Sequence, residues 1–174
     1  MLIFPTRDAL AEKLAEDTAR ALHNRLQLQV EAVLAVSGGS TPGAFFAALS
    51  RAELDWSRVV VTLVDERWVP EDNPRSNAAM VRRALLQNRA AHVRFLPLYN
   101  GAPTPAAGLK ALEAELAALP LSLAAAILGM GEDGHTASFF PGGDHLAAAL
   151  APANGQLVET MLSLIHISEP TRPY

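Results

Sequence analysis

Cysteine is absent from the 174 residues, and aromatic residues make up only 6% of them. Without thiols the chain can form no disulfide and can hold no metal through thiolate ligands. Hydrophobic residues still account for 50% of the sequence, which is enough to bury the core of one domain. The sequence therefore predicts one well-buried domain, or most of a slightly larger one, that depends on neither disulfides nor thiolate-bound metal.

A surplus of positive charge and a long apolar run are also absent. Acidic residues outnumber basic ones by 18 to 14, and no Lys/Arg run stands out, so broad attraction to nucleic acid or to a membrane surface is not expected. The amino terminus lacks the pattern of a signal peptide, and Pro120 and Ser122 interrupt the longest apolar stretch. We expect a cytoplasmic protein that binds a small molecule.

Short apolar segments alternate with helical patterns along the chain. The segments that read as strands are 32–36, 59–64, 93–98 and 122–128, and Pro97 places the third at a sheet edge. The helical patterns cover 8–28, 43–49, 78–86 and 104–119. We predict an α/β fold, a doubly wound, mostly parallel sheet with helices on both faces, in which 122–128 is buried on both sides and the strand-end loops share one edge.

A glycine-rich loop, SGGSTP at 37–42, joins the first strand to the second helix. Backbone N–H groups at a helix start lack intrahelical partners and favour a negative ligand, and hydroxyl groups add uncharged donors. Phosphate binding is therefore predicted for Ser37, Gly38, Gly39, Ser40 and Thr41. The loop is neither a Walker loop nor a GxGxxG fingerprint, and an ordinary Gly-Gly turn is the alternative interpretation.

Charged residues follow the second strand, in the order Asp65-Glu66-Arg67. An arginine at this position can clamp a phosphate through its planar fork of donors, and an aspartate can hydrogen-bond sugar hydroxyls or orient a histidine. The alternative is an ordinary ion pair at the end of a strand.

The last predicted strand runs into a loop that holds Asp133 and His135 among three glycines, Gly131 being one of them. Glycine allows a sharp turn just past the strand, which places the acid and the imidazole in the crevice where open α/β sheets bind ligands. Taken alone, this histidine could be an ordinary surface residue. Because three chemically suited loops all follow strands, we expect them to converge on one site.

These loops resemble the motifs of the 6-phosphogluconolactonase family: SGGSTP at 37–42, DERWVP at 65–70 followed by Ser76-Asn77, and GMGEDGHTASFFPG at 129–142. The resemblance extends over about residues 1–161. It implies a Rossmann-like fold of the sugar-phosphate isomerase type. It also implies hydrolysis of 6-phospho-D-glucono-1,5-lactone, a step of the oxidative pentose phosphate pathway, without metal or organic cofactor.

The resemblance also implies roles for individual residues. His135 would be the general base that activates water, and Asp133 and Asp65 would orient the base or the substrate. Arg67 would hold the 6-phosphate together with the loop from Ser37 to Thr41, and Gly131 would belong to the substrate-binding loop.

Two other functions remain open. Glucosamine-6-phosphate deaminases carry a similar acidic pair and histidine loop, but they place a carboxylate five residues after the histidine, where this chain has Phe140, and an aromatic residue where it has Arg67. The second alternative is a non-catalytic module that binds sugar phosphates.

The end of the chain departs from the family pattern. We predict that residues 1–161 form a domain that is incomplete at its carboxyl end. Residues 162–174, LSLIHISEPTRPY, match no family motif and resemble translated adapter or vector sequence. We predict that this segment is not native.

Overall fold

The computed structural model describes residues 2–39, 41–120, 122–151 and 155–161. Ser40, one of the predicted phosphate ligands, and the segment 162–174 lie outside the described residues. The described helices are α1 (Arg7–Leu28), α2 (Gly43–Leu49), α3 (Asn77–Ala84), α4 (Pro105–Ala117) and α5 (Leu146–Leu150). The described strands are β1 (Ala32–Val36), β2 (Val59–Leu63), β3 (Arg94–Leu96) and β4 (Ala125–Ile127).

The described strands form one sheet in the order β3-β2-β1-β4, and every pairing is parallel. Ala32 lies beside Val59, and Leu34 lies beside Ala125. The predicted parallel α/β sheet is confirmed, and β3 lies at an edge, as Pro97 indicated. All carboxyl ends point to one side, so the loops after β1, β2 and β4 share that side.

Helices cover both faces of the sheet, because side chains alternate between the faces along each strand. On one face, Leu34 and Val61 pack in a core with Phe46 of α2 and residues of α1 and α3. On the other face, Val33 and Val60 pack against α4. This arrangement confirms the doubly wound architecture.

Side-chain caps fix where three of the helices begin. Hydroxyl oxygens of Thr6, Ser76 and Thr104 each accept an N–H three residues later, at 3.1–3.2 Å. Such caps satisfy donors that lack intrahelical partners. Of the helices in the described ranges, none is long and apolar enough to cross a membrane.

The prediction that segment 122–128 is buried on both faces is wrong. Ala125 and Ile127 pack on the first core, but Ala126 is exposed and Leu128 is 55% exposed. In the part of the chain that the structure describes, β4 pairs only with β1, and α4 packs on β1 and β2 instead. An aliphatic run indicates a strand but does not distinguish a central strand from an edge strand.

Candidate active site at the carboxyl edge of the sheet

The site lies where the chain order reverses across the sheet. From β1 the chain proceeds to β2 and β3 on one side, then returns to place β4 on the other side of β1. Open α/β sheets bind ligands at such a switch point, outside the carboxyl ends of the strands. The glycine-rich loop after β1 and the histidine loop after β4 therefore border the expected crevice.

The glycine-rich loop is attached to β4 through one hydroxyl group. Ser37 Oγ donates to the carbonyl of Ile127 at 3.0 Å and accepts the N–H of Gly129 at 3.3 Å. Gly39 has a φ of +88°, a conformation that favours glycine. Gly39 and Thr41 are exposed, so their backbone and side chain face solvent. The phosphate role of this loop stays a prediction, and the Ser37 proton already has a protein acceptor.

Glu66 fixes the loop that follows β2 against the start of α3. One of its carboxylate oxygens accepts the N–H of Arg67 at 2.7 Å and the N–H of Asn77 at 2.8 Å, and the other accepts the N–H of Ala78 at 2.8 Å. A carboxylate at a helix N-terminus is favoured by the helix dipole as well as by these bonds. Glu66 thus has a structural role and fixes the backbone of the loop that carries Asp65 and Arg67.

Arg67 and Asp65 are linked by the side chain of Asn77. Arg67 Nη1 donates to Asn77 Oδ1 at 3.0 Å and to the carbonyl of Arg75 at 3.0 Å. Asn77 Nδ2 donates to the carbonyl of Asp65 at 3.0 Å and to its Oδ1 at 3.3 Å. The ordinary Asp–Arg ion pair is therefore replaced by an amide that contacts both groups.

Asp65 is also held by the histidine loop. Ser138 Oγ donates to Asp65 Oδ2 at 3.3 Å. Burial raises the pKa of Asp65, and the charges of Arg67 and His135 and the Ser138 hydrogen bond only partly oppose this effect. The loops after β2 and β4 are thus joined at a carboxyl group that retains its proton more readily than usual.

His135 is oriented on two sides. Its Nδ1 lies 2.5 Å from Asp133 Oδ1, and its ring centroid lies 4.6 Å from that of Phe140. The hydrogen bond to His135 lowers the pKa of Asp133, although burial opposes the shift slightly. Because an ionised carboxylate only accepts hydrogen bonds, Nδ1 carries the proton and Nε2 of the neutral ring holds the lone pair. Nε2 is therefore the atom able to act as a base.

Gly131 is required by the closeness of this histidine. A Cβ at Gly131 would lie 2.3 Å from His135 Cε1 and 2.8 Å from Asp133 Oδ1. Its N–H also donates to the carbonyl of His135 at 2.8 Å, which closes the loop. The predicted need for glycine here thus has a steric cause, a close approach of the ring to the backbone.

A cavity of about 890 Å³ brings the predicted residues Asp65, Arg67 and His135 together, and Ser138 joins them. Apolar side chains form much of the remaining wall, namely Trp68, Leu98, Leu109, Leu112, Phe139 and Phe140. None of the described residues of the glycine-rich loop lines this cavity, and Gly38 lies against the Asn77 side chain that contacts Arg67. Within the described ranges, no three His, Asp or Glu side chains are grouped to hold a metal ion.

Sequence reasoning missed Asn77 and Ser138 as parts of this site. Asn77 was noted only within the Ser76-Asn77 pair and was assigned no role in the site, yet its amide lies between the two charged groups. Ser138 had no assigned partner because its contact with Asp65 spans 73 positions of sequence. The Ser76-Asn77 pair that follows DERWVP was the available signal for the first of these residues.

The parallel sheet and the polar groups at its carboxyl edge define an α/β protein with a candidate ligand site outside the ends of the strands. The chain belongs to the glucosamine-6-phosphate isomerases/6-phosphogluconolactonase family, whose model matches residues 5–161.

Two curated relatives and one solved structure show how close the similarity is. A 6-phosphogluconolactonase of Rhizobium meliloti is 52% identical over 92% of this chain and 69% of its own length. One from Pseudomonas aeruginosa is 47% identical over 82% of this chain and 60% of its own length. The crystal structure of a 6-phosphogluconolactonase from Shewanella baltica matches with a TM-score of 0.82 and 43% identity, over 84% of this chain and 63% of that one. This chain thus spans 60–69% of the length of these proteins.

Proposed function

We propose that this chain hydrolyses 6-phospho-D-glucono-1,5-lactone to 6-phospho-D-gluconate, as a carboxylic ester hydrolase of the oxidative pentose phosphate pathway in the cytoplasm. The observation that carries the proposal is that His135, whose Nδ1 is held by Asp133, lines a cavity that Arg67 also lines. Two relatives that are 47–52% identical carry the name of this activity. The proposal assigns no metal or organic cofactor to the reaction.

His135 supplies the base. Its Nε2 removes a proton from water, and the water oxygen forms a bond to the lactone carbonyl carbon. When the resulting tetrahedral intermediate collapses, the bond from this carbon to the ring oxygen breaks. The ring oxygen receives the proton from the imidazolium and becomes a hydroxyl group. The former carbonyl carbon becomes that of a carboxylic acid, which releases its remaining proton to water and leaves as a carboxylate. General base catalysis of this kind contributes roughly 10²–10⁴-fold to the rate.

Arg67 supplies the positive charge for the phosphate. Its guanidinium is exposed at the cavity, and one of its nitrogens is already oriented by Asn77 and Arg75. A charge-assisted pair with phosphate, aided by Gly38, Gly39 and Thr41 as donors, would fix the sugar at a point remote from the reacting carbon. Binding energy from the phosphate thus helps to orient the lactone carbonyl beside the base.

Phe140 favours lactone hydrolysis over amine chemistry. The deaminase pattern places a carboxylate five residues after the histidine, whereas here a phenyl ring lies 4.6 Å from the imidazole. Ring opening of an amino sugar needs an additional acid/base group, and a phenyl ring has no proton to exchange. Lactone hydrolysis needs only one such group, which His135 provides.

A comparison of three substrates tests the proposal. The chain should hydrolyse 6-phosphogluconolactone generated in situ faster than its spontaneous hydrolysis, should act poorly on the unphosphorylated lactone, and should release no ammonia from glucosamine 6-phosphate. Release of ammonia would favour the deaminase. Binding of 6-phosphogluconate without any turnover would favour the non-catalytic module.

A further inference from the structure

Asn77 is the most buried polar residue around the site, with 2% of its surface exposed. It stands at the first position of α3, and its own N–H is held by Glu66 at 2.8 Å. Its backbone is therefore fixed to the loop after β2. A buried side chain on a fixed backbone can act as a rigid reference for the groups that it touches.

The two ends of the Asn77 amide have different partners. The oxygen accepts from Arg67 Nη1 at 3.0 Å, and the nitrogen donates to the carbonyl and carboxylate oxygens of Asp65 at 3.0 and 3.3 Å. Only a side chain with both a hydrogen-bond acceptor and hydrogen-bond donors can bind a cation and an anion at the same time. Aspartate would repel the Asp65 carboxylate, and an apolar residue would leave both groups unpaired.

The glycine-rich loop rests on the same amide. A Cβ built on Gly38 would lie 1.9 Å from Asn77 Oδ1 and 2.6 Å from Asn77 Nδ2. Gly38 has no positive φ, so the need for glycine here comes from space rather than from backbone conformation. The Asn77 side chain therefore fixes the position of the loop after β1 relative to the loop after β2.

We propose that Asn77 is a positioning residue that holds Arg67 and Asp65 at a fixed place beside the glycine-rich loop, so that the guanidinium is aimed at the phosphate of the ligand. The choice of ligand rests on the proposed function. The arrangement itself rests on the contacts of Asn77.

Substitutions at Asn77 test this role through substrate preference. Asn77→Ala and Asn77→Asp should each lower the preference for the phosphorylated over the unphosphorylated lactone, measured as a ratio of kcat/KM, by about tenfold, since a hydrogen bond to a charged group is lost. The control is Asn100→Asp, the same chemical change at an exposed amide that donates to the Gly108 carbonyl at 2.9 Å. A merely structural role would reduce kcat/KM equally for both lactones, and an unchanged ratio would overturn the proposal.

A double-mutant cycle with Gly38 tests the close packing of the glycine-rich loop against the Asn77 amide. Gly38→Ala should weaken binding of 6-phosphogluconate in the parent chain, because the new methyl group meets the Asn77 amide. In the Asn77→Ala background, Gly38→Ala should reduce the affinity for 6-phosphogluconate much less, because the amide that the methyl group would meet is absent. An equal loss of affinity in both backgrounds would contradict the proposed contact.

A titration separates failure of this proposal from failure of the proposed function. In ¹³C NMR, Asn77→Asp should raise the apparent pKa of the Asp65 carboxyl, because a donor is replaced by a like charge, and Asn100→Asp should not. An unchanged Asp65 titration in Asn77→Asp would overturn the positioning role whatever the substrate. If this shift is found but the parent chain hydrolyses neither lactone, the placement of Asn77 stands and the proposed function is contradicted.

Discussion

Asp65 shows how a carboxyl group in the site affects the stability of the whole domain. Burial raises its pKa above the usual 3.8, so the folded protein binds this proton more tightly than the unfolded chain does. Its contribution to the free energy of unfolding therefore falls as pH rises from about 3.8 through the raised folded pKa. At neutral pH the charged, half-buried carboxylate lowers the free energy of unfolding.

We predict that Asp65→Asn raises the urea midpoint of unfolding at pH 7 and that the gain vanishes as pH falls below 3.8, where the native side chain is also neutral. Lactone hydrolysis should fall in the same variant. Exposed Asp72 provides the control substitution, Asp72→Asn. Equal midpoints for parent and Asp65→Asn at pH 7 would show that the carboxylate carries no such cost.

Arg67 is the residue through which the phosphate is expected to be recognised. Loss of a hydrogen bond to a charged group costs about 1.5–3 kcal/mol, so Arg67→Ala should raise the KM for 6-phosphogluconolactone by about 10- to 100-fold. Its effect on the unphosphorylated lactone should be small. Arg82→Ala is the matched control, since Arg82 pairs with Glu71 at 2.7 Å and does not line the cavity. An unchanged KM in Arg67→Ala would remove Arg67 from phosphate binding.

At the scale of elements, sequence patterns predicted most of the helices and strands but not the contacts that hold them together. The predicted strand 32–36 and helix 43–49 coincide with β1 and α2, because a short, continuous apolar run followed by a glycine-rich loop leaves few other options. The expected burial of β4 was wrong, since its position at the edge of the described sheet is set by strand order. Strand order depends on long-range packing, which a local pattern does not contain.

Arg58 is an example of a contact that no local pattern shows. It stands just before β2, yet its Nη2 donates to the carbonyls of Leu26 and Gln29 at 2.9 and 2.7 Å, and its Nε donates to that of Val30 at 2.8 Å. Carbonyls at the end of α1 lack intrahelical partners, and a cation satisfies them and opposes the helix dipole. One planar side chain thus joins α1 to the start of β2.

Arg58→Lys should lower the free energy of unfolding by about 1–2 kcal/mol, because lysine cannot supply the same fork of donors. Chemical denaturation monitored by circular dichroism measures this loss. Arg89→Lys, at a surface ion pair with Glu53, should change stability by less than about 0.5 kcal/mol. A similar small effect for both substitutions would mean that the Arg58 contacts do not stabilise the fold.

At the scale of the whole molecule, His145 ties the region of α5 to the segment 155–161, which lines part of the cavity. Its Nδ1 lies 3.0 Å from Glu159 Oε1, and this hydrogen bond raises the pKa of His145. Burial opposes ionisation of Glu159, but hydrogen bonds from Thr160, His145 and Gln156 outweigh it and lower the pKa of that carboxyl. The contribution of His145 to the free energy of unfolding is therefore fully present below its usual pKa of 6.5. The contribution of Glu159 is present above its usual pKa of 4.5.

The pair should stabilise the domain most between about pH 4.5 and 6.5. We predict that Glu159→Gln lowers the thermal unfolding midpoint in this range, and that the difference from the parent shrinks at higher pH as His145 loses its proton and at lower pH as Glu159 gains one. Scanning calorimetry across pH 3–9 measures the difference in unfolding midpoint and its decrease at both higher and lower pH. A difference that is constant with pH would argue against an ionic contact.

The candidate site was predictable as a set of loops but not as a geometry. Glycines and charged residues after each strand placed Asp65, Arg67 and His135 at one edge of the sheet, and the cavity holds all three. The roles of Asn77 and Ser138 depend on contacts between loops that are far apart in sequence, so they were visible only in three dimensions. Membership of the family agrees with the resemblance seen in the motifs.

The most direct test of the account is the rate of 6-phosphogluconolactone hydrolysis by the parent chain and by His135→Gln. The parent chain should exceed spontaneous hydrolysis, and the variant should lose roughly 10²–10⁴-fold in kcat, with an unchanged circular dichroism spectrum, because glutamine cannot accept the proton of water. A variant as fast as the parent would contradict His135 as the base. A parent chain that gives only the spontaneous rate would contradict the proposed activity.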